Sequence, residues 1–169
     1  MAVHKVIQVS STGAKSEYSG KATSAGTADA GEFVTAGTDG KIDISYFPNG
    51  IGADANTLVA GEALVGGDFV YILANGTVMK ADATAFAKRS MGYVLASVLN
   101  AGNATVFYDE NNSALSGLTP GTTYYLSATA GVVTATASNI IAGQFLQELG
   151  VATTATSLHV NIKETILRA

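Results

Sequence analysis

Phe69-Val70-Tyr71-Ile72 and Thr77-Val78-Met79-Lys80 flank Asn75-Gly76, and no other feature limits the fold as tightly. Asn-Gly between two β-prone runs is the strongest short hairpin signal, because a type I′ turn needs positive φ at both central residues. The pattern then returns, with Tyr124-Tyr125-Leu126 facing Val132-Val133-Thr134 across Ala130-Gly131. Tyr93-Val94-Leu95, Ala104-Thr105-Val106-Phe107-Tyr108 and Leu158-His159-Val160-Asn161-Ile162 read as further strands. In the last of these, alternation turns Leu158, Val160 and Ile162 toward a core. Helical periodicity is nearly absent. Thr84 to Arg89 has room for one turn, and Ile140 to Leu149 is the one ambiguous stretch.

Laying residues 67–108 beside residues 121–162 shows an internal repeat. Gly67-Asp68-Phe69-Val70-Tyr71-Ile72 matches Gly121-Thr122-Thr123-Tyr124-Tyr125-Leu126, and Met91-Gly92-Tyr93-Val94 matches Leu149-Gly150-Val151-Ala152. Each half is a hairpin, a spacer, a glycine-led strand and a final strand. The match is weak residue by residue, but the order of events agrees. Gly117-Leu118-Thr119-Pro120-Gly121 lies between the halves, and Pro-Gly there fits a type II turn. The expected fold is all-β: a small β-barrel or sandwich with a weak internal duplication over residues 56–169, preceded by an extended N-terminal arm. Closing such a unit removes most exposed strand edges.

Residues 1–55 read differently. Lys5-Val6-Ile7-Gln8-Val9 alternates like a short strand. Ser10 to Thr38 is dominated by Ser, Thr, Gly and Ala, with Tyr18, Phe33 and Val34 as its sparse apolar anchors. Such a stretch buries too little apolar surface to form a core, so it reads as an arm ordered by a partner. Asp39-Gly40 signals a turn. Ile42, Ile44, Tyr46 and Phe47 then form a compact apolar patch, stopped by Pro48. The patch reads either as a linker tacked to the domain or as a peg for another subunit. The candidate contact residues are therefore Val6, Ile7, Val9, Tyr18, Phe33, Val34, Ile42, Ile44, Tyr46 and Phe47.

Composition excludes several functions. Charged residues are 13% of the 169, about half the usual share, and small residues fill the gap. That surface suits packing against other chains. The net charge is −4, and Lys88-Arg89 is the only adjacent basic pair, so nothing concentrates positive charge against phosphates and nucleic acid is not an expected partner. With no cysteine there is no disulfide framework, thiolate nucleophile or thiolate zinc site. The opening Met1-Ala2-Val3-His4-Lys5 lacks the apolar run of a signal peptide. No stretch approaches the roughly 20 apolar residues of a membrane-crossing helix, so no membrane is expected. Asn75-Gly76-Thr77, Asn103-Ala104-Thr105 and Asn111-Asn112-Ser113 fit the glycosylation pattern but read more simply as turns.

Chemistry is also missing. His4 lies in the arm and His159 on the outer face of the last strand, neither beside a nucleophile motif. Asp109-Glu110-Asn111-Asn112 is oxygen-rich but lacks the ordered spacing of a calcium loop. Glu62, Asp68 and Asp82 are separated by strands and loops, so no carboxylate pair is forced together. Val65-Gly66-Gly67-Asp68 enters a strand without the Gly-Lys-Ser/Thr of a phosphate loop. No enzyme activity, metal or cofactor is expected.

Asp29-Ala30-Gly31-Glu32-Phe33-Val34, Asp39-Gly40-Lys41-Ile42-Asp43 and Phe47-Pro48-Asn49-Gly50-Ile51-Gly52-Ala53-Asp54 resemble the entry segment of small tailed-phage virion proteins. The similarity continues through Ala60-Gly61-Glu62-Ala63-Leu64, Gly67-Asp68-Phe69-Val70, Val78-Met79-Lys80-Ala81-Asp82-Ala83-Thr84 and Gly92-Tyr93-Val94-Leu95. It includes Leu115-Ser116-Gly117-Leu118-Thr119-Pro120-Gly121-Thr122-Thr123-Tyr124-Tyr125-Leu126-Ser127 and ends at Leu149-Gly150-Val151-Ala152. The chain thus resembles capsid decoration, or head cement, proteins, with similarity to modules of head-fibre and tail-fibre chains. The resemblance implies a structural role on the outer surface of the capsid in the virion, with the major capsid protein and further copies of itself, as a homotrimer, for partners. The acidic balance fits that outer surface. The competing expectation is a head-fibre, collar or tail-fibre module binding a host receptor or glycan, with Tyr71, Tyr93, Tyr108, Tyr124 and Tyr125 as contacts.

Overall fold

The computed structural model describes residues 5–38, 40–47, 54–137 and 141–168, and of Ile44 the backbone alone. Every regular element among them is a strand or a short 3-10 turn, so the protein is all-β. The chain divides into two units, Met1–Gly52 and Ala53–Ala169.

In the first unit β1 (Lys5–Val9) and β2 (Lys15–Ser19) form an antiparallel ribbon, with Val6 opposite Tyr18 and Ile7 opposite Glu17. Gly13, at φ 83°, lets the chain reverse, and its amide donates to the Ser10 carbonyl at 2.9 Å. An exposed Lys5–Glu17 ion pair of 2.7 Å spans the strands. Further on, Lys21 bridges to Val34, and the Tyr18 and Phe33 rings meet at 5.4 Å. Gly20 makes room for them, since a Cβ there would lie 2.5 Å from the Phe33 ring. Two 3-10 turns follow, Gly26–Asp29 and Ile44–Tyr46. The Tyr46 hydroxyl sits 2.8 Å from the Lys21 carbonyl and 3.0 Å from that of Thr23. The Ser24 amide donates to Ser45 Oγ at 2.8 Å. The arm therefore carries a ribbon and turns held by local hydrogen bonds. None of its described residues is buried, as its poverty in apolar groups dictates.

The second unit holds two sheets. The first comprises β3 (Ala55–Val59), β4 (Phe69–Ile72), β5 (Val78–Lys80), β6 (Gly92–Val94) and β7 (Asn103–Phe107), in the spatial order β3-β7-β6-β4-β5. The second comprises β8 (Asn111–Asn112), β9 (Thr123–Leu126), β10 (Val133–Thr134), β11 (Phe145–Ala152) and β12 (Leu158–Val160), in the order β8-β12-β11-β9-β10, with β13 (Thr165–Leu167) paired to β11. The two orders are the same topology traced twice. Register repeats as well. Val70 opposes Gly92 where Tyr124 opposes Gly150, and Ile72 opposes Val78 where Leu126 opposes Val133. Val94 opposes Val106 where Ala152 opposes Leu158. The Gly67 amide donates to the Val94 carbonyl and the Gly121 amide to that of Ala152, both at 2.8 Å. The duplication is thus weak in side chains and complete in strand order. In the final strands it equates Val106 with Leu158.

Gly92 and Gly150 occupy equivalent positions and answer the same need. A Cβ on Gly92 would lie 2.5 Å from the Phe107 carbonyl oxygen, and one on Gly150 would collide with the His159 carbonyl oxygen. Phe107 and His159 are themselves equivalent, so the final strand of each half runs too close to its neighbour for any side chain there.

Side chains of β4 alternate between two cores. Val70 packs with Val78, Val94, Val106, Ala60 and Leu64 inside the first half. Phe69 and Tyr71 join Tyr93 from the first half and Tyr124, Leu126, Phe145, Leu149, Leu158 and Val160 from the second. Burying these large side chains stabilises the unit by about 1.5–3 kcal/mol each before entropy is counted. Backbone bonds tie the halves along this seam. Phe69 donates to the Gly131 carbonyl at 3.1 Å, Gly131 to Ala81 at 2.8 Å, and Ala83 to Ser127 at 2.9 Å. The buried Gln147 amide acts as a substitute strand: its Oε1 accepts from the Ser90 amide at 2.8 Å and its Nε2 donates to the Ser90 carbonyl at 3.0 Å.

Two sequence ambiguities resolve here. Phe145 to Leu149 is strand, the start of β11, which shifts register between Glu148 and Gly150. The single turn expected at Thr84 to Arg89 is a 3-10 turn at Phe86–Lys88.

Candidate functional site

The residues assigned to partner contact fall into two environments. Val6, Ile7 and Val9 stand exposed on β1, with Ile7 69% exposed. Successive strand residues point to opposite faces, so Val6 marks one face of the ribbon and Ile7 and Val9 the other. Among the described residues this sheet has two strands, which leaves both outer edges open to a further strand. Val34, Ile42 and Phe47 are likewise exposed. Tyr18 and Phe33 cover one another, and Tyr46 is turned to internal carbonyls by its hydroxyl. Ile44 starts a 3-10 turn, and its side chain lies outside the described residues. So do His4, Asp39 and the segment from Pro48 to Ala53. The compact patch expected of Ile42, Ile44, Tyr46 and Phe47 is therefore described only in part.

The acidic side chains weighed for chemistry all serve structure. Glu62 Oε1 accepts the Lys80 amide at 2.8 Å. Asp68 pairs with the Lys80 ammonium at 3.2 Å and accepts the Val65 amide at 2.8 Å. Asp82 is buried. Burial raises its pKa, but hydrogen bonds from Thr84 and Lys88 and the Lys88 charge outweigh that, and the carboxyl ends below its ordinary value. Lys88 is raised in turn by its hydrogen bond and attraction to Asp82. In the oxygen-rich run, Asn112 is buried and donates to the Gly67 carbonyl at 3.0 Å. Asp109 caps the Glu110 amide at 2.7 Å, and Glu110 adopts φ 75°. Among the described residues no three His, Asp or Glu side chains are grouped to hold a metal ion. No helix among them is long and apolar enough to cross a membrane. His159 is exposed, opposite Val151 on one side and Asn111 on the other.

The tyrosines offered as receptor contacts need correction. Tyr71, Tyr93 and Tyr124 are buried. Their strands alternate, and these three fall on the faces that meet in the shared core. Tyr93 is 1% exposed, and its hydroxyl donates to the Asp109 carbonyl at 2.8 Å. Burial, with Glu110 and Asp109 nearby, pushes that phenol up to about 12. Tyr124 OH accepts the Thr119 amide at 2.9 Å. Tyr108 and Tyr125 are half-buried.

Sequence reasoning missed a set of exposed apolar residues on the second unit: Phe86, Leu99, Ile141, Ile166 and Leu167. Near Phe86 an open groove of about 530 Å³ runs between Arg89, Gln147 and Lys163. The Arg89 guanidinium lies 4.8 Å from the Phe86 ring centre, the Gln147 amide is bonded to Ser90, and the charged Lys163 and Glu164 also line the groove. The signal for the C-terminal residues was Glu164-Thr165-Ile166-Leu167-Arg168, a β-prone core between opposite charges.

No protein-family model matches the chain, and no curated protein sequence matches it.

Proposed function

We propose that this chain is a structural protein of a tailed-phage virion, a decoration protein that binds the outer capsid surface and stabilises the shell. The observation that carries the reading is the contrast within the first unit. It exposes Val6, Ile7 and Val9 on a ribbon with two open edges, while none of its described residues is buried. A segment built that way gains its missing burial and its missing edge bonds from another chain. In this reading, which follows the sequence resemblance, that chain is the major capsid protein. The low charge and acidic balance agree with a passive role on that surface. Copies joined as a homotrimer would sum modest contacts by avidity.

The test is direct. Purified protein added to capsids lacking decoration is expected to give regular density over the whole shell in electron micrographs. A variant lacking residues 1–52 is expected to keep its near-UV circular dichroism and lose binding. Equal decoration by the truncated chain defeats the role given to the first unit, and density at a single vertex or on the tail defeats the decoration reading itself. The alternative, a fibre or collar module recognising a receptor or glycan, is weakened by the burial of Tyr71, Tyr93 and Tyr124.

A further inference from the structure

β13 is an edge strand whose outward side has no partner strand among the described residues, and its sequence is complementary to itself. It pairs only with the first part of β11, placing Leu167 opposite Phe145, Ile166 opposite Leu146 and Thr165 opposite Gln147. Arg168 donates its amide to the Gln144 carbonyl and accepts the Gly143 amide, both at 2.9 Å. Arg168 therefore spends its backbone groups inward. Antiparallel alternation puts Ile166 inward too, and turns the amides and carbonyls of Thr165 and Leu167 outward. Ile166 and Leu167 are 65% and 70% exposed. An open edge with large apolar side chains on both faces is a ready template for another strand.

We infer that this edge pairs with the same edge of a second copy, antiparallel about a two-fold axis through Ile166. The arithmetic of the register supports a copy of itself as occupant. Centred on Ile166, Thr165 of one copy meets Leu167 of the other, and their outward backbone groups exchange hydrogen bonds. Ile166 meets Ile166 as a non-hydrogen-bonded pair, the kind in which side chains come closest. Glu164 and Arg168 flank β13 rather than belong to it; with the strand's alternation carried one residue past each end in the joint, Glu164 meets Arg168 on the same face as the isoleucines, and the two-fold repeats that contact on the far side. One face of the joint thus reads acid–base, isoleucine–isoleucine, base–acid. Opposite charges placed directly across antiparallel strands are favourable, and like charges are not. Glu164 and Arg168 are both exposed. Arg168 already gives Nη1 to the Ala137 carbonyl at 2.8 Å, which steadies the guanidinium and leaves the rest of its fork for a carboxylate. A contact in which residue i meets j and j meets i is the signature of a closed two-fold interface. This inference stands apart from the virion reading and needs no capsid.

The natural chain has no cysteine, so a single introduced thiol reports the geometry cleanly. Ile166→Cys would bring two sulfurs together across a pair whose Cα separation, about 4.5 Å, suits a disulfide. Under mild oxidation the full-length I166C protein is expected to form covalent pairs roughly tenfold faster than Leu99→Cys, an exposed control. Adding E164R places Arg opposite Arg twice and is expected to abolish that advantage, as is adding R168E, which places Glu opposite Glu. The double variant E164R/R168E in the I166C background restores it, as does mixing the two single-charge variants with each other. Far-UV circular dichroism checks that each variant stays folded. The inference is overturned if I166C pairs no faster than L99C, if the charge reversals leave its rate unchanged, or if I166C reacts only with a thiol placed at Ile7, which would make the β1 edge the occupant.

Discussion

The two halves of the second unit share a strand order and part company in what they cover. In the first half one sheet face carries Phe69, Tyr71 and Tyr93, buried in the shared core, and Phe107 packed against it. The equivalent positions in the second half are Thr123, Tyr125, Val151 and His159. These are half-buried or exposed. The opposite face is apolar in both, with Val70, Val94 and Val106 matched by Tyr124, Ala152 and Leu158. So the halves do not pack as mirror partners. The face that is polar in the second half is the face the first half uses to meet it. The difference teaches that topology here is carried by turns and by Gly92 and Gly150, which both halves keep. The outer faces decide how many layers stack, and the polar one ends the series.

Four measurements would break or sharpen that comparison. The largest effect is expected from truncating the covered face. Phe69→Ala should cost about 4 kcal/mol in urea unfolding, while Thr123→Ala at the equivalent site should stay within about 0.5 kcal/mol. Equal costs would mean that the two faces are equally engaged. Next, Gly150→Ala should cost about 3 kcal/mol, because the methyl meets the His159 carbonyl and φ is 152°. Gly92→Ala, close to the Phe107 carbonyl, should also destabilise. A tolerated Gly92→Ala would show that the tight crossing belongs to one half alone. Third, Gln147→Leu should cost about 2 kcal/mol by leaving the buried Ser90 amide and carbonyl without partners. The bridge joins Ser90 of the first half to β11 of the second, so this variant probes the seam.

The smallest effects are titrations. Tyr93 has a folded pKa near 12 and an unfolded one near 10. Below pH ~10 both states are neutral and its contribution is whole. Between the two values the unfolded chain ionises first, so stability should fall by about 1.4 kcal/mol per pH unit. Tyr93→Phe should flatten that slope in alkaline unfolding curves, and an unchanged slope would place the loss elsewhere. Asp82 acts in the opposite direction. Its folded pKa is lowered, so its contribution is present above the unfolded value near 3.9 and is lost as pH falls through the folded one. Asp82→Asn should remove that acid limb.

The hairpins were legible because Asn75-Gly76 and Gly131 demand turns and the flanking residues are β-prone, but the first turn is not the expected type I′: of Asn75 and Gly76, Gly76 alone takes positive φ, at 81°, and its amide closes on the Leu73 carbonyl at 2.9 Å. The duplication was legible because those turns recur in the same order. Other elements carry no such signal. β2 holds one large apolar residue, Tyr18, and forms because the Ser10–Gly13 turn delivers it to β1. β8 is two asparagines, too short for any period, and it forms because Leu158 and His159 lie beside it. The start of β11 has apolar Phe145, Leu146 and Leu149 at helical as well as strand spacing, and its pairing with β9 and β13 settles the matter. Of the candidate contact residues, the exposure of Val6, Ile7 and Val9 could be read from a short run with no core to enter. The tyrosines could not, because alternation gives two faces and does not say which one a second half will cover.

β11 lies between β9 and β12 and also holds β13. From Glu148 onward its amides are covered by β9 and β12, while those of Phe145 to Gln147 that face β13 open with that edge. Under native conditions the protons from Glu148 onward should be among the last to exchange with deuterium, on the clock of whole-unit opening. β10 ends its sheet beside β9; β5 ends the other sheet beside β4, where the Gly61 amide also holds its Val78 carbonyl at 2.8 Å. A time course of deuterium uptake would therefore count down from those margins to β11, dating the loss of each strand in turn.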